Sequence, residues 1–291
     1  MSTSSSDILG EITAASRARA TSGGLLYTFH WWLLVLILAG IFTIILVFTS
    51  EEYNAIFRYL IPGIFMTLTV SVTSYLTALF MGLMIALIRA TAPKPGTGLM
   101  GKITGFIRLV LFQVATLYVS VLRGLPILVV LLSVAFVLVP AFSNFIESTI
   151  NPEFRLNGSS PTSAIIALAL TYSAFLSETL RAGIQSIEKG QTEAARSLGM
   201  TYIQTMRFVV LPQAIRRVLP PLGNDFISMI KDSSLVTVLG ISDITQNAKL
   251  WSSSTFRFGQ TYFIAAMIYL TMTVLGSLLI RYLERRFSYG R

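Results

Sequence analysis

Long apolar runs separated by short polar segments dominate this chain. The apolar residues fall in six stretches, roughly 31–49, 62–88, 114–140, 162–182, 218–238 and 261–282. Most of them match the length of about 20 residues that an α-helix needs to cross a hydrocarbon core. A membrane β-barrel would instead show alternating segments of about ten residues. We therefore expect an all-α polytopic membrane protein with about six transmembrane helices.

Two of the six stretches are less regular than the others. The third begins as a less apolar helix and becomes strongly apolar only after Pro126. The fifth is the weakest, because Asn224, Asp225, Lys231 and Asp232 lie inside or near it. Polar groups are costly inside a membrane and mark function by default, so the fifth stretch is a candidate for chemistry.

The composition supports a membrane protein and removes several kinds of site. Hydrophobic residues make up 54% of the chain and charged residues only 12%, whereas soluble domains carry about a quarter charged residues. The chain has no cysteine, which excludes disulfides and thiolate chemistry. The single histidine, His30, precedes Trp31 at the edge of the first apolar run, which is typical of an interfacial aromatic belt.

The distribution of Lys and Arg predicts the orientation. With the N-terminus in the cytoplasm, the outer segments hold only Arg58, Arg155, Lys249 and Arg257. The inner segments then hold most of the other basic residues, as the positive-inside rule requires. The net charge of +9 is therefore a topology signal and not a sign of nucleic acid binding. Residues 1–30 become a loose cytoplasmic tail, 141–160 an external loop, and about 239–260 an external stretch along the interface.

The polar segment of about 186–216, which we call the knuckle, lies between the fourth and fifth stretches. Strong helix formers predict a helix from Glu188 to Leu198, and Gly199 is suited to end it. Thr201 is a plausible N-cap for a second helix. We expect Pro212 to end or kink that helix, and Pro220 with Pro221 to open the next span.

The first knuckle helix offers a small apolar face of Ala194, Ala195 and Leu198, flanked by Glu193 and Arg196. Such a face suits docking into a groove of another protein. An ordinary solvated loop is the alternative.

The knuckle resembles the EAA loop of ABC importer permeases. The resemblance rests on Glu193-Ala194-Ala195, then Gly199, then Val209, then Leu211-Pro212, with Val209 in place of the usual Ile. The stretches "YVSVLRGLPILVVLL", "YSAFLSETLRAGIQSI", "LPQAIRRVLPPLGNDFI" and "KDSSLVTVLGISD" are similar to permeases for polar amino acids of the histidine, glutamine and glutamate type. Leu125 replaces a Thr of that pattern, and Ala182 replaces a Gly.

The resemblance implies a type I ABC importer permease core of five spans, in 59–291, preceded by an extra N-terminal helix and external loop in 31–58. It further implies multi-pass placement in a bacterial inner membrane with both termini in the cytoplasm. The implied partners are a pair of ABC ATPase subunits, a second permease (homologous or identical), an extracytoplasmic amino acid binding protein and membrane lipid. Glu193, Ala194, Ala195, Arg196, Leu198, Gly199, Leu211 and Pro212 would form the ATPase-coupling loop.

No catalytic site is expected in the chain itself. Gly96 to Lys102 nearly spells a phosphate-binding loop, but Ile103 stands where Ser or Thr should hold magnesium, and no strand precedes it. We interpret Gly96 to Thr104 as a short basic cytoplasmic loop. The chain is thus expected to bind no cofactor, with ATP and Mg bound by the partner ATPase.

Polar residues inside the spans are the candidates for a substrate path: Ser173, Ser177, Glu178, Asn224, Lys231 and Asp232. Glu178 could accept from the ammonium of an amino acid and Lys231 could donate to its carboxylate, with Asn224 assisting. Alternatively, Glu178 pairs with Arg181, and Lys231 pairs with Asp225 or Asp232, so that both merely tie helices together. An ion-coupled secondary transporter that uses Glu178 and Lys231 is the second functional hypothesis.

Overall fold

The computed structural model of the chain describes residues 31–90, 92–93 and 97–288, without the side chains of Trp32, Phe287 and Ser288. The predicted tail 1–30, with His30, and also Gly96 lie outside the described residues. Within that part of the chain the regular elements are helices, and no strand occurs. The predicted all-α fold class is confirmed.

The helices follow one another with short connections. They are α1 Trp31–Thr49, α2 Glu51–Arg89, α3 Gly98–Gly124, α4 Ile127–Thr149, α5 Pro161–Gln185, α6 Lys189–Ser197, α7 Tyr202–Thr205, α8 Leu211–Asp232, α9 Ile244–Thr255 and α10 Phe258–Ser288. A π-helical turn, Val134–Leu138, lies within α4, and another, Met206–Val210, joins α7 to α8. A 3₁₀-helix, Ser233–Leu239, continues from α8.

The chain forms two compact units that divide between Asn54 and Ala55. The described part of the first unit is α1 and the start of α2. The second unit contains the rest of α2 and all later helices. Its main core brings together residues from α2, α4, α5 and the 3₁₀-helix, among them Val70, Val134, Leu168 and Val236. The second unit therefore has a hydrophobic core of its own.

Five helices in the described residues are long and apolar enough to cross a membrane: α2, α3, α4, α5 and Phe258–Arg286 of α10. A shorter apolar helix, Leu33–Thr49, is additional to these five. The prediction of one span over 114–140 is wrong, because one helix ends at Gly124 and the next begins at Ile127. Leu125 has extended backbone angles (φ −98°, ψ 143°). Pro126 follows, and a proline disfavours the helical region for the residue before it.

Several predicted boundaries differ from those in the structure. The segment Gly96 to Thr104, expected as a loop, is helical from Gly98 onward. The expected external loop 141–160 is helical as far as Thr149, and α9 lies within the expected stretch 239–260. The predicted span 218–238 begins earlier, at Leu211, and is not among the five apolar helices.

The prolines near the knuckle lie within helical backbone. Pro212 lies in the first turn of α8, which follows the π-helical turn Met206–Val210 directly, so the helix changes its winding just before Pro212 but does not end there. Pro220 and Pro221 are inside α8 and do not open it. They remove the N–H groups that would bond the carbonyls of Arg216 and Arg217. Neighbouring helices hold α8 in shape through these positions, as is common where prolines occur in membrane helices.

The connection before α9 is fixed to two helices of the second unit. The backbone N–H of Ile244 donates to Thr67 Oγ1 of α2 at 3.4 Å. Asp243 is fully buried, caps α9 through the N–H of Gln246 at 2.7 Å, and accepts from the Tyr269 hydroxyl of α10 at 3.1 Å. Burial raises the pKa of the Asp243 carboxyl, against the opposing effect of these hydrogen bonds.

We predict that Gly63→Val destabilises the second unit. A Cβ at Gly63 would lie 2.6 Å from the Ile244 nitrogen and 2.7 Å from the Asp243 carbonyl carbon, so backbone would have to move. Overpacking of this kind costs about 1–3 kcal/mol, which should lower the midpoint of thermal unfolding in detergent. Gly259→Ala in α10 is the control, since a Cβ there meets no described atom within 4 Å. Equal melting of the two variants would contradict the close contact.

Candidate functional site

The turn of the knuckle is built by a Schellman motif at the end of α6. Gly199 has a left-handed backbone (φ +82°) that disfavours residues with a Cβ. The N–H of Met200 donates to the Ala195 carbonyl at 3.2 Å, and the N–H of Gly199 donates to the Arg196 carbonyl at 3.0 Å. Gly199 ends the first knuckle helix, as the sequence predicts.

The second knuckle helix starts with a complete capping box. The N–H of Gln204 donates to Thr201 Oγ1 at 3.3 Å, and the N–H of Thr201 donates to Gln204 Oε1 at 2.8 Å. Thr201 is thus the N-cap, as expected. The two caps fix the directions in which the chain leaves α6 and enters α7.

The face that the knuckle presents differs from the predicted one. Glu193, Ala194, Arg196 and Leu198 are exposed, and Leu198 retains 84% of its accessible surface. Ala195 is only 4% exposed, so its expected place on the docking face is wrong. Leu211 and Pro212 are exposed at the start of α8.

Packing and a hydrogen bond attach the knuckle firmly to α5 and α8. Ile187, Val210 and Ala214 form a buried cluster between the end of α5 and the start of α8. Arg217 of α8 donates to the Ser186 carbonyl at the end of α5. A shift of the knuckle is therefore transmitted to the ends of both helices.

Three helices surround α8. Asp232 accepts from the Tyr172 hydroxyl of α5 at 2.6 Å, and Asp225 accepts from Thr179 of α5 at 3.3 Å. On a second side, the Tyr75 hydroxyl of α2 donates to the Leu222 carbonyl at 2.7 Å. The third side packs against α10, where Gly276 faces Ile227 and Gly223 faces Ile280.

The remaining side of α8 is open and polar. Arg217, Pro221, Asn224, Ser228 and Lys231 lie on one helix face at spacings of three and four residues, and all but the half-buried Ser228 are exposed. We call these five residues the open face. A helix packed among apolar spans cannot expose such a face to lipid, since polar groups in hydrocarbon need partners. The open face must lie against water or another polar surface.

Lys231 is the charged end of the open face. Among the described residues it makes no ion pair with a carboxylate, so the expected pairing with Asp225 or Asp232 is absent. It borders a cavity of about 330 Å³ that is also lined by Ser234, Thr245, Tyr262 and Tyr269. A cation beside hydroxyl groups is suited to bind an anionic group.

Glu178 is held by two arginines. Its Oε2 lies 3.0 Å from Nη1 of Arg89 at the end of α2, and Arg181 pairs with its Oε1. The side chain is only 24% exposed. The pairing with Arg181 is the structural alternative that the sequence allowed, and Arg89 adds a tie between α2 and α5.

Ser173 and Ser177 are buried within the second unit and do not line an open surface. Ser173 Oγ lies 2.7 Å from the Tyr118 hydroxyl, which links α3 to α5. Ser177 donates to the Ala174 carbonyl. Of the predicted path residues, only Asn224 and Lys231 are exposed on one face, and Asp232 lies at its edge.

The sequence does not predict Arg89, Tyr172 and Thr179 as partners of the half-buried acids Glu178, Asp232 and Asp225. Arg89 lies in the last turn of α2, and a basic residue at the end of a span could have suggested an ion pair. In the described residues no cluster of three potential metal ligands occurs. The described geometry therefore consists of a polar face on α8 and of an exposed turn in the knuckle.

Comparison with known proteins gives matches over most of the chain. Residues 96–289 match the family described as "Binding-protein-dependent transport system inner membrane component". The "Probable glutamine ABC transporter permease protein GlnM" of Bacillus subtilis (strain 168) is 36% identical over 230 residues, 79% of this chain and 94% of the relative. The "Glutamate/aspartate import permease protein GltK" of Escherichia coli O157:H7 is 33% identical over 229 residues, 78% of this chain and 93% of the relative.

A solved structure is also similar. "Crystal structure of an amino acid ABC transporter with histidines" matches with a TM-score of 0.64 and 38% identity. The match covers 82% of this chain and 97% of the solved one.

We predict that Glu178→Ala lowers the stability of the second unit. The change leaves Arg89 and Arg181 without their carboxylate, and unsatisfied partly buried donors cost about 1–3 kcal/mol. The measurement is thermal unfolding of the purified protein in detergent. Glu147→Ala is the matched control, because Glu147 pairs with the 79% exposed Arg155 and such pairs contribute little. An unchanged midpoint for Glu178→Ala would free Glu178 for a role in the path.

Proposed function

The chain belongs to the family of inner membrane components of binding-protein-dependent transport systems and is a permease subunit of an ABC importer; we propose that its solutes are polar amino acids. The printed names of its relatives support this, since they include glutamine and glutamate/aspartate permeases. We also propose a type I core of five spans in 59–291, preceded by an extra N-terminal helix, because the five described helices that are long and apolar enough to cross a membrane are α2 and later helices. No observation favours the ion-coupled alternative.

Importers of this family work with a separate ATPase and a substrate-binding protein, and the knuckle is our candidate for the ATPase contact. Glu193, Ala194 and Leu198 are exposed at the end of a rigid turn, which suits insertion into a groove. Glu193 would pair with a basic residue of the ATPase. Because the knuckle is packed onto α5 and α8, ATPase motion would reach the membrane helices without loss.

The observation that carries the transport path is the open face of α8. It is the polar side of a helix that three apolar neighbours otherwise enclose, and it includes Lys231, which forms no ion pair with a carboxylate of the described residues. We place the substrate path there. A second permease, homologous or identical, would cover it and complete a water-filled channel between the two subunits.

The orientation we propose puts both termini and the knuckle in the cytoplasm of a bacterial cell, below its inner membrane. The support is the excess of Lys and Arg in the segments that would then be inside. ATP-driven closure of the ATPase pair would shift the population of the permease pair from inward-facing to outward-facing. Solute moves only if it binds the two states with different affinity.

The test of the function is ATP hydrolysis by the complex in lipid nanodiscs, with its ATPase and binding protein present, against the twenty amino acids. We expect stimulation by a few polar amino acids. Failure of an ATPase to co-purify, together with no stimulation by any amino acid, would overturn the proposal.

We predict that Gly199→Val uncouples the importer while Gly199→Asn does not. Valine cannot adopt φ +82° without strain, whereas Asn tolerates the left-handed region. The Schellman turn would open, and the knuckle would lose its fixed direction. The measurements are co-purification of the ATPase and uptake of labelled solute in proteoliposomes. Normal uptake by Gly199→Val would remove the turn from the coupling mechanism.

We also predict that Glu193→Lys abolishes ATPase co-purification without affecting membrane insertion. The substitution reverses the charge at an exposed position and leaves the fold untouched, because Glu193 makes no side-chain ion pair in the described part of the chain. Lys189→Glu, at the start of α6, is the control for a general change of charge. If both variants retain the ATPase, the docking face lies elsewhere.

A further inference from the structure

We infer that Asn224 and Asp225 select the side chain of the transported amino acid, favouring long cationic or amide side chains over acidic ones. The inference rests on the proposed function, because it takes the open face of α8 as the solute path. It adds a substrate class to that path. It also makes Asp225 a contact of the substrate side chain, whereas Glu178 was expected to bind the substrate ammonium.

Polar groups lie at two levels along α8, on the open face and on its side toward α5. Lys231 and Asp232 lie in the last turn, with Asp232 at the edge toward α5. Asn224 and Asp225 lie two turns earlier, and at 1.5 Å per residue the two levels are about 10 Å apart. An amino acid that is bound at one level can reach the other only through its side chain.

The level of Lys231 and Asp232, which we call the upper level, is suited to bind the ammonium and carboxylate that all amino acids share. The ammonium and carboxylate of an amino acid sit on the same carbon and so must be bound close together. Lys231 offers a cation with no carboxylate partner among the described residues, and the neighbouring Asp232 offers an acceptor that holds one Tyr172 hydroxyl. The cavity beside Lys231 leaves room for such a group.

The level of Asn224 and Asp225, which we call the lower level, is acidic. Asp225 is half-buried and accepts from Thr179 at 3.3 Å, and no Lys or Arg of the described chain lies within ion-pair distance of it. Asn224 beside it is exposed and can both donate and accept. Glu178, by contrast, is already neutralised by Arg89 and Arg181.

These charges favour one kind of side chain. A guanidinium, an ammonium or an amide at the end of a long stem can reach the lower level and donate to Asp225. A glutamate side chain of similar length brings a second carboxylate to Asp225 and is repelled. A short side chain such as that of Ser does not reach. The lower level therefore selects amino acids by both the length and the charge of their side chains.

The test measures binding of radiolabelled arginine, glutamine and glutamate to the permease–ATPase complex in nanodiscs without the binding protein, so that selectivity belongs to the membrane part. We expect arginine and glutamine to bind at least about tenfold more tightly than glutamate. Asp225→Asn should weaken arginine about tenfold or more, since a hydrogen bond to a charged group is worth that factor or greater. Glutamine should change little.

Thr179→Val is the matched control for a structural role of Asp225. It removes the hydrogen bond between α5 and α8 but keeps the carboxylate. If Asp225 only ties the helices together, both variants will weaken all three ligands alike, and the inference is wrong. Tight glutamate binding by the unaltered complex overturns it too, as does the absence of binding by all three ligands.

The same complex with its binding protein separates this inference from the proposed function. Stimulation of ATP hydrolysis by polar amino acids, combined with unaltered selectivity in Asp225→Asn, refutes only the role of Asp225. No stimulation by any amino acid refutes the importer function as well.

Discussion

Polar groups inside hydrocarbon must find partners within the protein, and this constraint shapes the second unit around α8. Two neighbouring helices supply such partners, through Tyr172 and Thr179 of α5 and Tyr75 of α2, and α10 covers a third side of α8 by close packing. What they leave uncovered is one continuous polar face. The same requirement that ties the bundle together therefore also determines which surface stays available for a solute or a second subunit.

The all-helical class, the knuckle turn and its caps could be predicted from the sequence because they depend on local chemistry. Gly199 and Thr201 act through backbone conformation and nearest-neighbour hydrogen bonds, which leave a pattern in the chain. The helix break at Leu125 was not predicted, because hydropathy averages over Pro126, whereas the backbone of Leu125 has extended angles. Pro220 and Pro221 misled in the opposite direction, since tertiary packing overrides their local preference.

The candidate path could be predicted only in part. Asn224 and Lys231 stand out in sequence as polar residues in a weak span, and they are exposed on one face. Ser173, Ser177 and Glu178 stand out equally, yet the two serines are buried and hydrogen-bond with Tyr118 and Ala174, and the half-buried Glu178 is paired with Arg89 and Arg181. Sequence periodicity assigns residues to a face of one helix, but the arrangement of the other helices decides whether that face is covered.

The polar face of α8 also bears on how the protein is made. A charged residue at the centre of a spanning helix costs about 2.5–3.5 kcal/mol during insertion into the bilayer. The helix α8 carries Asp225 in its interior, and it is not among the described helices that are apolar enough to cross by themselves. It can enter the membrane stably only where α5 and α2 already offer hydroxyl groups and α10 can close behind it. The segment that gives the molecule its path is thus the one whose insertion depends most on the helices synthesised before and after it.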